Sequence, residues 1–328
     1  MKERWSRGTA PLELGVSAAA RLLSPVLPQA RVEGITQLQG GLANTNLRVD
    51  LAGGEAPLVL RLYQRDPKQA ALEHALSRCL ESQVTVPRFL HLAEDNPVTG
   101  QAYAVVEWIE GEQLDPVLRR LDAQEVRHFA EAIGRTLAAI HDVTFPSFGF
   151  LDADLSVSTE VDLGRNGLLD YLKTCLIEGP GAARLGEELT TALFDFAESR
   201  GHLLDDWLDR PRLVHSDFNS SNLLLRPEEA GCGWHVAVLD WEFAFSGSPA
   251  FDFGNLFRFR ETERDAFGEG VTGGYAAAGG HLPDDWRHIA RIADLYSWAD
   301  FLKRPHANEA LISDAKRAIR RTLSEADD

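Results

Sequence analysis

Asp217, Asn222 and Asp240 are the side chains whose types and spacing could do chemistry. In Leu213-Val-His-Ser-Asp-Phe-Asn-Ser-Ser-Asn222 the carboxylate of Asp217 stands five positions before the amide of Asn222. An apolar run from Leu223 to Leu225, a turn and a second apolar run from Val236 to Leu239 then deliver Asp240. Two such runs predict a hairpin with Asn222 and Asp240 at its ends. Transfer of a phosphoryl group needs this set. One carboxylate orients a hydroxyl and takes its proton late, and two oxygen ligands hold Mg²⁺. Taken singly, each residue has a plain structural explanation: a loop aspartate binding backbone donors, a turn asparagine, a cap at a strand end. The joint spacing favours chemistry.

The surrounding elements must position these groups. Ser17 to Leu23 reads as a short helix stopped by Pro25, and Ile35 to Leu60 has strand character. Leu47–Leu51 and Leu58–Tyr63 predict a hairpin about the turn Ala52–Ala56. Asp66 and Pro67 open a helix with an apolar stripe of Leu72, Ala75, Leu76, Cys79 and Leu80. Ala102 to Trp108 is another strand, followed by Glu110-Gly-Glu112. Asp122 and Glu125 form a capping-box pattern for a helix to His141, with Val126, Phe129, Ile133, Leu137 and Ile140 on one face. Leu168–Cys175 and Leu189–Leu208 read as helices. The pattern is helical again from Phe251, with breaks near 273–284. A β-rich first part thus precedes a larger α-rich part.

The stretch His215-Ser-Asp-Phe-Asn-Ser-Ser-Asn222, followed by Leu239-Asp-Trp-Glu242, resembles the aminoglycoside phosphotransferase and choline kinase family of small-molecule kinases. The resemblance implies an α+β, bilobal protein-kinase-like fold. Residues 1–106 would form a nucleotide-binding lobe, 107–112 a hinge and 113–328 a catalytic and substrate-binding lobe. It implies Asp217 as the catalytic aspartate and Asn222 and Asp240 as metal ligands. His215 becomes a support of the loop, and Asp252 ties that loop to the next helix. Glu242 could touch a second metal, a cationic substrate or the turn itself. Ser216 stands where the family usually has glycine.

Gly40-Gly-Leu-Ala-Asn-Thr-Asn46 is similar to the family's nucleotide loop: Gly40 and Gly41 let backbone N–H groups approach phosphates, and Asn44 and Thr45 could cap phosphate oxygens. A lone charge in a strand usually faces solvent. The resemblance instead puts Arg61 where most kinases carry a phosphate-pairing lysine, with Glu73 as its ion-pair partner. Val106-Glu-Trp-Ile-Glu-Gly111 resembles the hinge, where backbone groups near Glu107 and Ile109 would bind the adenine edge.

The chain of 328 residues carries a net charge of −17, which argues against nucleic acid and anionic membranes as partners. Cys79, Cys175 and Cys232 form neither a disulfide framework nor a metal knuckle, as suits a reducing cytoplasm. No signal peptide and no run of 18 apolar residues is evident. The cofactors expected are ATP and Mg²⁺. The acceptor expected is the hydroxyl of a small molecule, with the acidic balance mildly favouring a cationic one. Glu261, Glu263, Asp294 and Asp300 are candidate ammonium contacts, though each has the character of ordinary surface acid. Two other readings fit the residues: a kinase-like regulator that binds nucleotide without turnover, and a metal-dependent hydrolase built on His215, Asp217 and a distant aspartate.

Overall fold

The computed structural model describes residues 10–38, 44–228, 233–259 and 265–324. Helix α1 (Val16–Leu23) precedes an antiparallel sheet of β1 (Val32–Gln37), β2 (Thr45–Leu51), β3 (Leu58–Leu62), β4 (Phe89–Ala93) and β5 (Tyr103–Glu107), ordered β1-β2-β3-β5-β4. Helix α2 (Lys68–Leu80) joins β3 to β4. Strand side chains alternate between faces, and here both faces are covered. Leu58, Leu60, Leu62, Tyr103 and Val105 pack with Ala19, Leu22 and Leu23 of α1. The opposite face gathers Tyr63, Ala104 and Val106 with Ala70 of α2. Arg61 falls on this second face, so the charge at the centre of β3 is buried, at 8% exposure.

After Glu107 the chain passes through a short irregular segment to β6 (Glu112–Gln113), α3 (Leu114–Arg120) and α4 (Ala123–His141). The capping box on α4 forms as expected: Asp122 accepts from the N–H of Gln124 and Glu125, and the Glu125 side chain returns to the N–H of Asp122. Strands β7 (Gly149–Leu151) and β8 (Val157–Glu160) follow, then α5 (Arg165–Leu172), which runs into a π-turn over Lys173–Ile177. Next come α6 (Gly181–Leu185) and α7 (Glu187–Arg200), the latter tightening into a 3₁₀ turn over Gly201–Trp207. Strands β9 (Arg212–Val214), β10 (Leu223–Pro227), β11 (Trp234–Val238) and β12 (Phe245–Gly247) carry the expected hairpin. Helices α8 (Ala250–Leu256), α9 (Asp265–Ala277), α10 (Trp286–Lys303) and α11 (Glu309–Ser324) complete the chain. A large core unites these elements around Phe129, Trp207, Phe253 and Trp298.

That core also takes Leu76 and Leu80 from the last turns of α2, together with Val84 and Val86 beyond it. Thr85 pairs with Ala237 of β11, and its carbonyl accepts from the N–H of Val238 at 2.9 Å. The far end of α2 is therefore seated among the C-terminal elements.

Gly273 and Gly274 do not break the helical pattern, contrary to expectation; they lie inside α9. The reason is close helix packing. A Cβ on Gly274 would stand 2.1 Å from the Glu131 carbonyl, and one on Gly134 would stand 2.1 Å from that of Val271. Strand β4 also escapes the sequence pattern, because its residues are all half-buried and show no alternation.

Candidate active site

Strand β9 leads directly into the loop that carries Asp217. Ser216 has φ of 62°, in the left-handed region that disfavours side chains with a Cβ. Asp252, fully buried at the start of α8, holds this turn: it accepts from the N–H of His215 at 2.8 Å and of Ser216 at 2.7 Å. His141, at the end of α4, lies between Tyr275 and Asp252, with Nδ1 3.0 Å from the phenol and Nε2 3.1 Å from the carboxylate. Burial holds its imidazole below the ordinary value of 6.5, against the pull of Asp252. The neutral ring then donates from Nε2 and accepts at Nδ1, satisfying both nitrogens.

His215 is buried and clasps the loop. Its Nδ1 accepts from the N–H of Asp217 at 3.2 Å, so its Nε2 donates to the Leu239 carbonyl at 2.9 Å. The Asp217 carboxylate is half-buried and fixed at both oxygens. Asn219 donates to Oδ1 at 2.7 Å and Asn222 to Oδ2 at 2.9 Å. The hairpin register pairs Leu223 with Val238, and the Leu239 N–H donates to the Asn222 carbonyl at 2.9 Å. Asn222 and Asp240 therefore leave the same end of the hairpin.

Asp240, at φ of 65°, meets the buried face of the N-terminal sheet. Arg61 Nη2 donates to Asp240 Oδ1 at 2.5 Å and to Glu73 Oε1 at 2.7 Å, and Glu242 Oε2 lies 3.9 Å away. Tyr63 donates to Glu73 Oε2 at 3.0 Å, and Asn44 to Glu242 Oε2 at 2.7 Å. Oxygens of Glu73, Asp240 and Glu242 lie within 4.8 Å of one another. Three carboxylates thus share one guanidinium. Burial and the Asp240 charge push Glu242 up to about 8. Burial, opposed by Arg61, leaves Glu73 at about 7. Burial would lower Arg61, but Glu73 and Asp240 outweigh it and keep the guanidinium charged.

The structure brings together Asp217, Asn222, Asp240, Arg61, Glu73, Glu242, Asn44, His215 and Asp252. Gly40 and Gly41 lie outside the described residues, as do Glu261 and Glu263. Thr45 is fully buried. Its hydroxyl donates to Gln64 Oε1 at 2.5 Å and accepts from the N–H of Leu12 at 3.0 Å. Glu107 ends β5, its N–H bonded to the Arg88 carbonyl at 2.9 Å, and Ile109 lies in the segment that follows. Asp294 is committed to Arg258 and Asp300 to Arg304 and Tyr171, so both acids serve internal ion pairs. Sequence reasoning missed Tyr63, Asn219 and the support from His141. Tyr63 had a signal: it stands two positions after Arg61 in an extended run, hence on the same face.

The two-part α+β architecture is that of the kinase-like phosphotransferases. It aligns with the GDP and kanamycin complex of APH(2")-IIia over 95% of this chain and 99% of that one (TM-score 0.71, 16% identity). It also aligns with a thermostable mutant of the aminoglycoside phosphotransferase APH(4)-Ia bearing AMP-PNP and hygromycin B (TM-score 0.65, 18% identity, 94% and 99% covered). The model of the phosphotransferase enzyme family matches residues 34–292, and the chain belongs to that family. Among curated proteins it resembles acyl-CoA dehydrogenase family member 10 of Mus musculus, 27% identical over 235 residues. That match covers 66% of this chain and only 20% of the mouse protein.

Proposed function

We propose that this chain moves the γ-phosphate of ATP, with Mg²⁺, to a hydroxyl group of a small molecule. One observation carries the reading. Side chains from three distant stretches, Arg61 with Glu73, Asp217 with Asn222, and Asp240 with Glu242, converge at one end of the β10–β11 hairpin. The nucleotides named with the two similar solved structures support a nucleotide substrate.

The donor set suits a hard divalent ion. Three carboxyl groups around one guanidinium all offer oxygen, and a bound divalent ion would favour their charged forms. Asn222 and Asp240 would hold the ion, with Glu242 within reach. When bound, Mg²⁺ would neutralise charge on the phosphate oxygens. Asp217, its carboxylate already oriented by Asn219 and Asn222, positions the acceptor hydroxyl and takes its proton late in the transfer. Arg61 offers a planar fork to phosphate, aimed by Glu73. The Thr45 hydroxyl is taken by Gln64 and Leu12, so of the expected phosphate-capping pair only Asn44, beside Glu242, stays in the proposed site, and the backbone near Glu107 and Ile109 would receive the adenine edge. The lobes divide at 107–112.

The neighbours' kanamycin and hygromycin B, with the −17 charge, support a cationic acceptor such as an aminoglycoside or amino alcohol. No helix among the described residues is long and apolar enough to cross a membrane, and Cys79 and Cys175 are free thiols. Both agree with a cytoplasmic site of action. The matched segment spans only 20% of the mouse relative, so the dehydrogenase activity in that relative's name is not carried over to this chain.

The test is ADP release over a panel of alcohol acceptors, with Asp217→Ala in parallel. Loss of transfer by about 10²–10⁴-fold with retained Mg-dependent ATP binding is expected. Retained turnover sinks the assignment. ATP binding by the wild type with no acceptor turned over would favour the regulator reading.

A further inference from the structure

The residues ahead of α1 reach the acid cluster through a chain of hydrogen bonds. Thr45 opens β2, and its side chain shares a face with Leu47, Val49 and Leu51, the face that α1 covers. A hydroxyl sealed among apolar groups needs partners. Thr45 is 0% exposed and uses both sides of its hydroxyl: it donates to Gln64 Oε1 at 2.5 Å and accepts from the N–H of Leu12 at 3.0 Å. Leu12 and Leu14 are seated on that same core.

Gln64, two positions past the end of β3, is the junction. Its Nε2 donates to the Ala10 carbonyl at 3.0 Å, so its amide spans Thr45 and Ala10. Its backbone N–H donates to Asn44 Oδ1 at 3.2 Å. That bond settles how the buried Asn44 amide is turned. With a donor on Oδ1, its Nδ2 faces Glu242 and donates to Oε2 at 2.7 Å. The stretch after β3 meets the same turn twice more. Gln69 Nε2 reaches the Glu242 carbonyl at 3.5 Å, and the Arg65 guanidinium lies over the ring of Phe243. Glu242 stands two positions after Asp240, so the chain of bonds that starts at residues 10–12 ends on the acid cluster.

We propose that residues 10–12, acting through Thr45 and Gln64, are a positioning element for the phosphate end of the nucleotide site. They hold Asn44, and through it Glu242, in the arrangement that receives the metal and its nucleotide. This inference rests on the phosphotransferase reading. Thr45 and Gln64 are positioning residues: neither touches the reacting atoms, and each acts through Asn44. The hydroxyl of Thr45 therefore serves the site from the far face of the sheet, opposite to Arg61.

The experiment is calorimetric binding of Mg-ATP to the full chain, with KM and kcat measured on an acceptor from the alcohol panel. Thr45→Val removes the hydroxyl at nearly the same volume and leaves Gln64 Oε1 and the Leu12 N–H unpaired. It should weaken Mg-ATP binding and raise the KM for ATP by roughly fivefold or more, with the acceptor KM unchanged and kcat at saturating ATP moved less. Thr45→Ser should restore binding. Gln64→Met, at a half-buried position, should act in the same direction and keeps the test open if Thr45→Val does not fold. Leu14→Ala is the packing control: it should melt at lower temperature and bind Mg-ATP as the wild type does. Wild-type affinity in both Thr45→Val and Gln64→Met would overturn the inference, as would an equal loss in Leu14→Ala. A wild type that binds no Mg-ATP would refute the phosphotransferase reading and this inference with it. A wild type that binds, beside variants that bind equally well, would refute this inference alone.

Discussion

Arg61 Nη2 donates to Asp240 Oδ1 at 2.5 Å, across 179 positions of sequence. The same nitrogen holds Glu73 at 2.7 Å, so one guanidinium ties the sheet, α2 and the end of the C-terminal hairpin together. Removing it leaves buried carboxylates without a counter-charge. Arg61→Ala should cost about 3–5 kcal/mol in denaturant unfolding. Arg61→Lys should recover only part, because an ammonium lacks the fork. Equal stability of Arg61→Ala and wild type would refute the pairing.

The acid cluster predicts a pH dependence. Glu73 and Glu242 are raised in the folded chain to about 7 and about 8 from an ordinary 4.5. Between those values the folded state keeps protons that the unfolded state has lost, so stability falls as pH rises from about 5 to 8. Thermal melts without divalent ions should show that decline. Glu242→Gln, which keeps an oxygen for Asn44, should flatten it and raise the melting temperature at pH 8 by a few degrees. An unchanged slope would contradict the placement of Glu242.

His141 predicts a second, opposite limb. Burial holds its folded value below 6.5, so below pH 6.5 the unfolded chain takes a proton that the folded chain refuses. The His141 contribution to stability therefore declines as pH falls below 6.5, opposing the slope set by Glu73 and Glu242. His141→Gln should lose baseline stability but also lose this acid limb, readable in melts at about pH 5 and about pH 7.

Ser216→Gly should stabilise the chain by about 0.5–1 kcal/mol. A left-handed φ costs a residue with a Cβ about 1–2 kcal/mol, and part of the gain is returned as backbone entropy. Phosphate transfer should not fall. A destabilised Ser216→Gly would mean that the serine hydroxyl contributes more than the strained backbone costs.

Gly274→Val should destabilise by about 1–3 kcal/mol or block folding, because its Cβ would overlap the Glu131 carbonyl. Gly273→Ala, which meets nothing within 4 Å inside the same helix, serves as the neighbouring control and should stabilise by up to about 1 kcal/mol.

The hairpin, the Asp122–Glu125 capping box and the Asp217–Asn222 spacing were all legible in the sequence, because each is a local pattern with a local cause. The inward turn of Arg61 was not legible from periodicity. Alternation says which residues share a face, not whether a helix covers that face, and only the resemblance pointed to Glu73. His141 carried no local signal beyond its place at the end of a helix, since its partners Asp252 and Tyr275 are 111 and 134 positions away. Gly273-Gly274 read as a break because glycine disfavours helices on its own; the backbone approach between α4 and α9 reverses the argument. The departure at Ser216 was visible, but the φ that makes glycine the usual residue was not.

The seating of α2 bears on control. In protein kinases, activity is governed by whether the corresponding helix presents its glutamate to the phosphate-pairing residue. Here the last turns of that helix are sunk in the C-terminal core through Leu76 and Leu80, both fully buried. Swinging Glu73 away would drag those side chains into water at about 1.5–3 kcal/mol each, besides breaking the Thr85–Ala237 bridge. On the kinase reading proposed above, a chain built this way has no inexpensive off position of the kind reached by swinging this helix outward.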